Sequence, residues 1–292
     1  MRVLVTGCNG QVGYCLTELL LKESNVTLLA LNKSELDITN YDAVKEVVQN
    51  FKPSVVINAA AYTAVDRAEG EIGLSYAINR DGAKHLAEAA QEVGAAILHI
   101  STDYVFEGNK DGVYTESDFT NPQGVYGASK LAGEEAVAKA CDKHIILRTA
   151  WVFGVHGNNF VKTMLRLGSR DELSVVSDQF GGPTYAGDIA NALVEIAKRI
   201  ANNEDIAYGV YHYSGLPHVS WFEFANTIFT NATEQGVITQ KLVLNRITTA
   251  QYPTPAKRPS NSKLCTKKIT DMFSIQPSDW KAAIANIKVY ME

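Results

Sequence analysis

Cysteine is scarce in this chain: four thiols in 292 residues, Cys8, Cys15, Cys141 and Cys265, with no C-x-x-C pair. That spacing supports neither a disulfide framework nor a zinc site, so no metal is expected and a reducing, cytoplasmic setting fits. Long apolar runs are also missing. No stretch reaches the roughly 18 consecutive apolar residues of a membrane-crossing helix, so no membrane partner is expected. The opening M-R-V-L-V-T-G reads as a strand, not as a secretory leader. Basic blocks are absent as well. The net charge of −5 is diffuse, which argues against the basic face of a nucleic-acid binder. No internal repeat is visible.

What the chain does have is apolar residues, 46% of the total, enough for a substantial core. In the first half they fall into short β-branched runs alternating with longer amphipathic stretches. Strands are predicted at Arg2–Thr6, Val26–Leu31, Ser54–Asn58, Ala96–Ser101 and His144–Thr149. Helices are predicted at Gln11–Lys22, Tyr41–Phe51, Gly73–Val93 and Tyr126–Cys141. Nearly continuous apolar strands mean that helices cover both sheet faces, and strand–helix alternation means right-handed crossovers. The class is therefore α/β with a doubly wound parallel sheet. After Trp151 the texture changes. Gly, Pro and aromatic residues become frequent, helical segments (Asn159–Leu167, Ala186–Ala201, Trp221–Thr230) alternate with short strands, and Pro253, Pro255 and Pro259 crowd together. Residues 1–150 are expected to form the first domain. Residues 151–292 are expected to be mainly a smaller C-terminal substrate-binding lobe, with later segments crossing back.

The first strand runs into T-G-C-N-G-Q-V-G, with Gly7, Gly10 and Gly13 at three-residue spacing before Gln11 and Val12 open a helix. Gly7 permits a tight turn, Gly10 lets backbone N–H groups approach a pyrophosphate, and Gly13 allows close helix–strand packing. In this strand–turn–helix setting the pattern is the dinucleotide fingerprint of a Rossmann domain, so an NAD(P) cofactor is expected. At the end of the second strand, where a carboxylate would select NAD, stand Asn32 and Lys33. That tilts the choice toward NADPH, with NADH left open. Asp37 and Ile38 follow where an adenine ring could pack. N-A-A-A-Y-T after the third strand places Ala60, Ala61, Tyr62 and Thr63 at the carboxyl edge, also as cofactor contacts.

Y-G-A-S-K sets Tyr126 and Lys130 four apart, on one helix face. A phenol titrating near ~10 is a poor acid–base group at neutral pH, and a neighbouring ammonium is expected to lower that value. Ser101-Thr102-Asp103 closes the fourth strand, where the Thr102 hydroxyl can polarise a substrate carbonyl. His99, in an apolar strand, reads as a satisfied core residue. Glycine loop, S-T-D and Y-x-x-x-K occur in this order along the chain.

These blocks, with N-A-A-A-Y-T-A-V-D-R-A-E, S-T-D-Y-V-F-E-G, R-T-A-W-V-F, G-N-N-F-V-K-T-M-L-R, D-Q-F-G-G-P-T and Y-P-T-P-A-K-R-P-S-N-S, run through the whole chain. Together they resemble the extended short-chain dehydrogenase/reductases, and among these the branch acting on a dTDP-linked 4-keto-6-deoxyhexose. The resemblance implies reduction of dTDP-6-deoxy-L-lyxo-4-hexulose, with Thr102 orienting the carbonyl, Tyr126 as acid and Lys130 tuning it. It implies that Asp103 and Trp151 line the sugar pocket, and that Asn159, Lys162 and Arg258 contact the substrate nucleotide or its diphosphate. Arg258 ranks above Lys162, because a planar guanidinium grips a diphosphate through two bonds. Sugar-nucleotide dehydratases of this superfamily carry Thr-Asp-Glu; Thr102-Asp103-Tyr104 stands here, which disfavours elimination. Some family members form Mg²⁺-bridged dimers through glutamates. The corresponding stretches here read Tyr14-Cys15 and Ala186-Gly187-Asp188, so none is expected, and monomer and homodimer both stay open. Two other readings also stay open: a different nucleotide-sugar reductase or epimerase, and a non-catalytic regulatory subunit of the same fold.

Overall fold

The computed structural model describes residues 1–291. Six strands form one sheet: β1 (Arg2–Thr6), β2 (Thr27–Leu31), β3 (Val55–Asn58), β4 (Ala96–Thr102), β5 (His144–Thr149) and β6 (Gly209–His212). Their order is β6-β5-β4-β3-β1-β2, and each neighbouring pair is parallel. The order reverses between β1 and β3. Connections there leave toward opposite faces, and a crevice opens at the carboxyl ends of the strands.

Alternation along each strand feeds two cores. Val3, Val5, Ile57, Leu98 and Leu147 face helices Gln11–Leu20 and Ala186–Ala201. Leu4, Val56, Ile97 and Ile146 face helices Tyr41–Phe51, Ala83–Glu92 and Val125–Ala140. The stretch read as one helix over Gly73–Val93 is three pieces: Ile72–Tyr76, a π-helical run Ala77–Gly82, and Ala83–Glu92. The π run lies where Gly133 of the crossing helix comes so close to the Asn79 carbonyl that a Cβ would collide with it. Backbone registers of this kind depend on a packing partner remote in sequence.

A third core, built on Phe153, Val161, Phe224, Ile228, Trp280 and Ile287, makes the smaller lobe. Its strands are short: Phe180–Gly181 lies between Val219–Ser220 and Asn261–Ser262, and Val243–Ile247 pairs with Glu172–Val176. The helix Ala186–Ala201, strand β6 and the helix Lys267–Phe273 return to the sheet, with Ile189, Leu193, Tyr211, Ile269 and Phe273 all in its first core. The sheet unit therefore draws on chain well beyond position 150. Among the described residues no helix is long and apolar enough to cross a membrane.

Candidate active site

Gly7 leaves β1 with φ of 74°, in the left-handed region, and a Cβ there would sit 2.6 Å from the Ala60 nitrogen. At Gly13 a Cβ would run into the Gly7 carbonyl oxygen, so only glycine lets the helix start this close to the turn. Gly10 caps the helix Gln11–Leu20 with no side chain to satisfy its first N–H groups. Those N–H groups and the positive end of the helix dipole suit an anion. Beside them lies a cavity of about 410 Å³ between the ends of β1, β2 and β3. Of the predicted cofactor residues, Gly7, Gly10, Asn32, Lys33, Asp37, Ile38, Ala60 and Ala61 line it. Ala59 does so as well, and so do Asn9, Ser34, Leu36 and Ile78, which the sequence reading passed over. Gln11, Val12 and Gly13 form the helix start. Tyr62 and Thr63 lie outside this cavity's wall: the Tyr62 N–H donates to Asn79 Oδ1 (2.8 Å) and its hydroxyl to Glu71 (2.7 Å). The Asp37 carboxylate accepts from the backbone N–H and hydroxyl of Thr39 (3.0 and 2.8 Å), and those bonds hold it below the usual carboxylate range. A glycine turn that Cβ atoms would block, a helix start with no side-chain cap and a cavity beside them together fit a dinucleotide.

The chemistry-bearing groups stand at the ends of β4 and the helix Val125–Ala140. Thr102 and Asp103 are buried, and the Thr102 hydroxyl donates to Asp103 Oδ1 (3.0 Å). Among the described residues Asp103 Oδ2 is buried with no hydrogen-bond partner. Burial lifts the Asp103 carboxyl to about 6, against the opposing hydroxyls of Ser262 and Thr102. Lys130 is 2% exposed; its Nζ donates to the Ile100 carbonyl (2.6 Å) and lies 3.5 Å from His99 Nε2. Burial pulls this ammonium down to about 8, with Glu134 pulling it up. Burial also raises the Tyr126 phenol above its ordinary value; the facing Thr102 hydroxyl lowers it, while Asp103 and Tyr104 add to the rise. The expectation that Lys130 lowers the phenol is therefore not met. Its ammonium is turned to Ile100, and burial decides. A phenol kept protonated is a donor, the form that reduction of a carbonyl needs.

Behind this edge lies a buried polar frame that sequence reasoning missed. Asn58 Oδ1 accepts from the Thr6 hydroxyl (2.8 Å) and the Ala60 N–H (3.1 Å), so its amide nitrogen is the donor toward His99 Nδ1 (3.0 Å). His99 is thus a satisfied core residue, and burial, with Lys130 beside it, holds it well below its ordinary value, neutral. Glu134 takes Arg148 bidentately (2.9 and 2.6 Å) and the Ser101 hydroxyl (2.5 Å). Asn79 bonds Ser129 (3.0 Å), one residue before Lys130.

On the lobe side, Trp151 has φ of 49°, and its ring presses on Gly181, where a Cβ would sit 2.6 Å from the indole. It stacks on Trp221 at 3.6 Å between centroids, and Trp221 was not foreseen. Arg258 is held by Asp66 (2.7 Å) and donates to the Tyr104 hydroxyl (3.1 Å), while the Tyr104 ring meets Tyr126 edge-on (5.4 Å). This brings Arg258 to the catalytic edge with part of its fork engaged. Asn159 is committed elsewhere. It caps the helix Phe160–Leu167 through the Lys162 N–H (3.2 Å) and donates to Gln11 (3.1 Å) and Gly154 (2.7 Å), tying the lobe to the glycine turn. His156 adds to that tie, 3.1 Å from the Asn9 carbonyl and stacked on Tyr14.

This arrangement has known counterparts. The RmlD substrate binding domain matches residues 1–290. The chain belongs to the RmlD family. A dTDP-4-dehydrorhamnose reductase of Aggregatibacter actinomycetemcomitans is 53% identical over 292 residues, spanning 100% of this chain and 99% of that protein. Among solved RmlD-family structures, a dTDP-4-dehydrorhamnose reductase from Clostridium acetobutylicum superposes with a TM-score of 0.91 at 40% identity, covering all of both chains. The enzyme of the same name from Bacillus anthracis, solved in complex with NADP, gives 0.88 at 40% identity over 99% of this chain and 98% of that one.

Proposed function

We propose that this chain reduces the 4-keto group of dTDP-4-dehydro-L-rhamnose, giving dTDP-L-rhamnose, with NADPH or NADH as reductant. Full-length membership of the RmlD family supports this substrate and reaction. Gly7, Gly10, the first turn of the helix from Gln11, Asn32, Lys33, Asp37, Ile38, Ala60 and Ala61 hold the dinucleotide. When bound, its reduced nicotinamide supplies hydride to the carbonyl carbon. Thr102 donates a hydrogen bond to the carbonyl oxygen, which stabilises negative charge as it develops there. Tyr126 transfers its proton to that oxygen, and the phenolate left behind is reprotonated from solvent. Lys130 holds the helix that carries Tyr126 against β4 through its bond to the Ile100 carbonyl. The observation that carries these roles is the Tyr126 phenol facing Thr102 at the end of β4, where burial favours its protonated form. Residues of the 151–292 lobe bind the nucleotide sugar: Trp151 packs on the sugar beside Asp103, and Arg258 meets the diphosphate with donors not used by Asp66 and Tyr104.

The test is oxidation of NADPH or NADH on adding the 4-keto sugar nucleotide. Stoichiometric formation of dTDP-L-rhamnose is expected. A folded sample that binds dinucleotide but does not turn over removes the reductase reading.

A further inference from the structure

Asn32 directly follows β2, where many dinucleotide sites keep a carboxylate that reads the adenosine ribose. The turn that follows returns a carboxylate to that place from three residues on. Asn32 Oδ1 accepts from the Ser34 N–H (2.8 Å), the Ser34 hydroxyl (2.6 Å) and the Glu35 N–H (3.3 Å). In exchange, Glu35 Oε2 accepts from the Asn32 N–H (2.9 Å). This reciprocal pairing has the bonds of a capping box, here on a turn with no helix after it, and it pins one oxygen of the Glu35 carboxylate at the Asn32 N–H. The glycine turn lies alongside, since the N–H groups of Gly7 and Cys8 both donate to the Leu31 carbonyl (2.9 and 3.3 Å). Its charge reaches that turn: the Cys8 thiol is raised by burial and then by Glu35. Asn32, Lys33, Ser34 and Leu36, on either side of Glu35 in sequence, line the cofactor cavity, and Glu35 itself stands outside its wall. The box uses only one oxygen of Glu35.

We infer that Glu35 is the specificity residue for the cofactor, accepting from the adenosine 2′-hydroxyl of NADH and repelling the 2′-phosphate of NADPH. Lys33 next to it attracts that phosphate, so the turn carries two opposed charges and admits both nucleotides. This rests on the cofactor reading above and adds to the reading drawn from Asn32 and Lys33 a carboxylate that stands three residues further along the chain.

Glu35→Gln separates charge from structure, because glutamine closes a capping box as glutamate does. NADPH and NADH dissociation constants are measured by titration without substrate, alongside Tm. For the Gln variant, NADPH affinity relative to NADH rises about five- to tenfold at low ionic strength, and less as salt is added. Lys33→Ala moves the ratio the other way. Glu35→Ala, which loses cap and charge together, lowers Tm and shifts the ratio as Gln does. A ratio unchanged in Glu35→Gln, or moved only by Ala, makes Glu35 a cap alone and overturns the inference while leaving the cofactor reading intact. A folded parent that binds neither nucleotide overturns both.

Discussion

Replacing Lys130 with methionine separates stability from catalysis in a way that pH exposes. The ammonium is almost fully buried, and burial lowers it from 10.5 to about 8. At about 1.4 kcal/mol per pH unit, keeping it charged in the fold costs roughly 3 kcal/mol at neutral pH. Methionine fills similar space without charge and gives up the bond to the Ile100 carbonyl, worth about 1.5–3 kcal/mol for a charged donor. The two nearly cancel, so near pH 7 the variant stays within about 2 kcal/mol of the parent. The sign with pH is then fixed by linkage. Between about 8 and 10.5 the folded parent has released this proton while the unfolded chain still holds it. The unfolded state binds more protons, so parental stability from this group rises with pH through that window. The variant lacks the gain, so its stability relative to the parent falls by roughly 3 kcal/mol across the window. Urea unfolding of both proteins, followed by circular dichroism from about pH 7 to about pH 10, reads this difference, and tyrosine titrations common to both cancel. Parallel stability curves would refute the burial argument, whatever happens to turnover.

Tyr126→Phe removes the proton donor and keeps the ring; kcat should fall on the order of 10²–10⁴ with dinucleotide affinity nearly unchanged, and parental turnover would dismiss the phenol as acid. Glu134→Gln leaves the Arg148 guanidinium buried without its counter-charge and should cost about 3–5 kcal/mol in denaturant melts. Pairing it with Arg148→Met should recover much of that loss; a double variant whose loss equals the sum of the two single losses would mean the pair is not coupled. Gly13→Ala drives a methyl into the Gly7 carbonyl, so dinucleotide titration should show weakened binding even where the sheet still folds; unchanged affinity would show that the turn can move aside.

Local pattern made the five strands β1 to β5 legible to within one residue, because each is a short apolar run with both faces covered and sharp polar ends. The crevice was legible for the same reason: Gly7, Gly10 and Gly13 answer to a backbone geometry that only three positions on one short segment define. What stayed hidden depends on pairs far apart in the chain. Trp221 acquires meaning only against Trp151, seventy positions earlier, and Arg258 only against Asp66 and Tyr104. Lys130 could be placed on the helix face of Tyr126 by spacing, but where its ammonium points is set by Ile100 and His99 on a different strand. Hence a rule drawn from helix spacing located the residue and misjudged its effect on the phenol. Glu35 is the intermediate case. Asn32 and Glu35 stand at capping-box spacing in plain view, yet reading that spacing as charge placement requires knowing that the bonds close on the N–H just past β2, beside the glycine turn. Spacing within one element can locate a side chain. Its charge and proton affinity are then decided by whichever neighbours the sheet order brings to it.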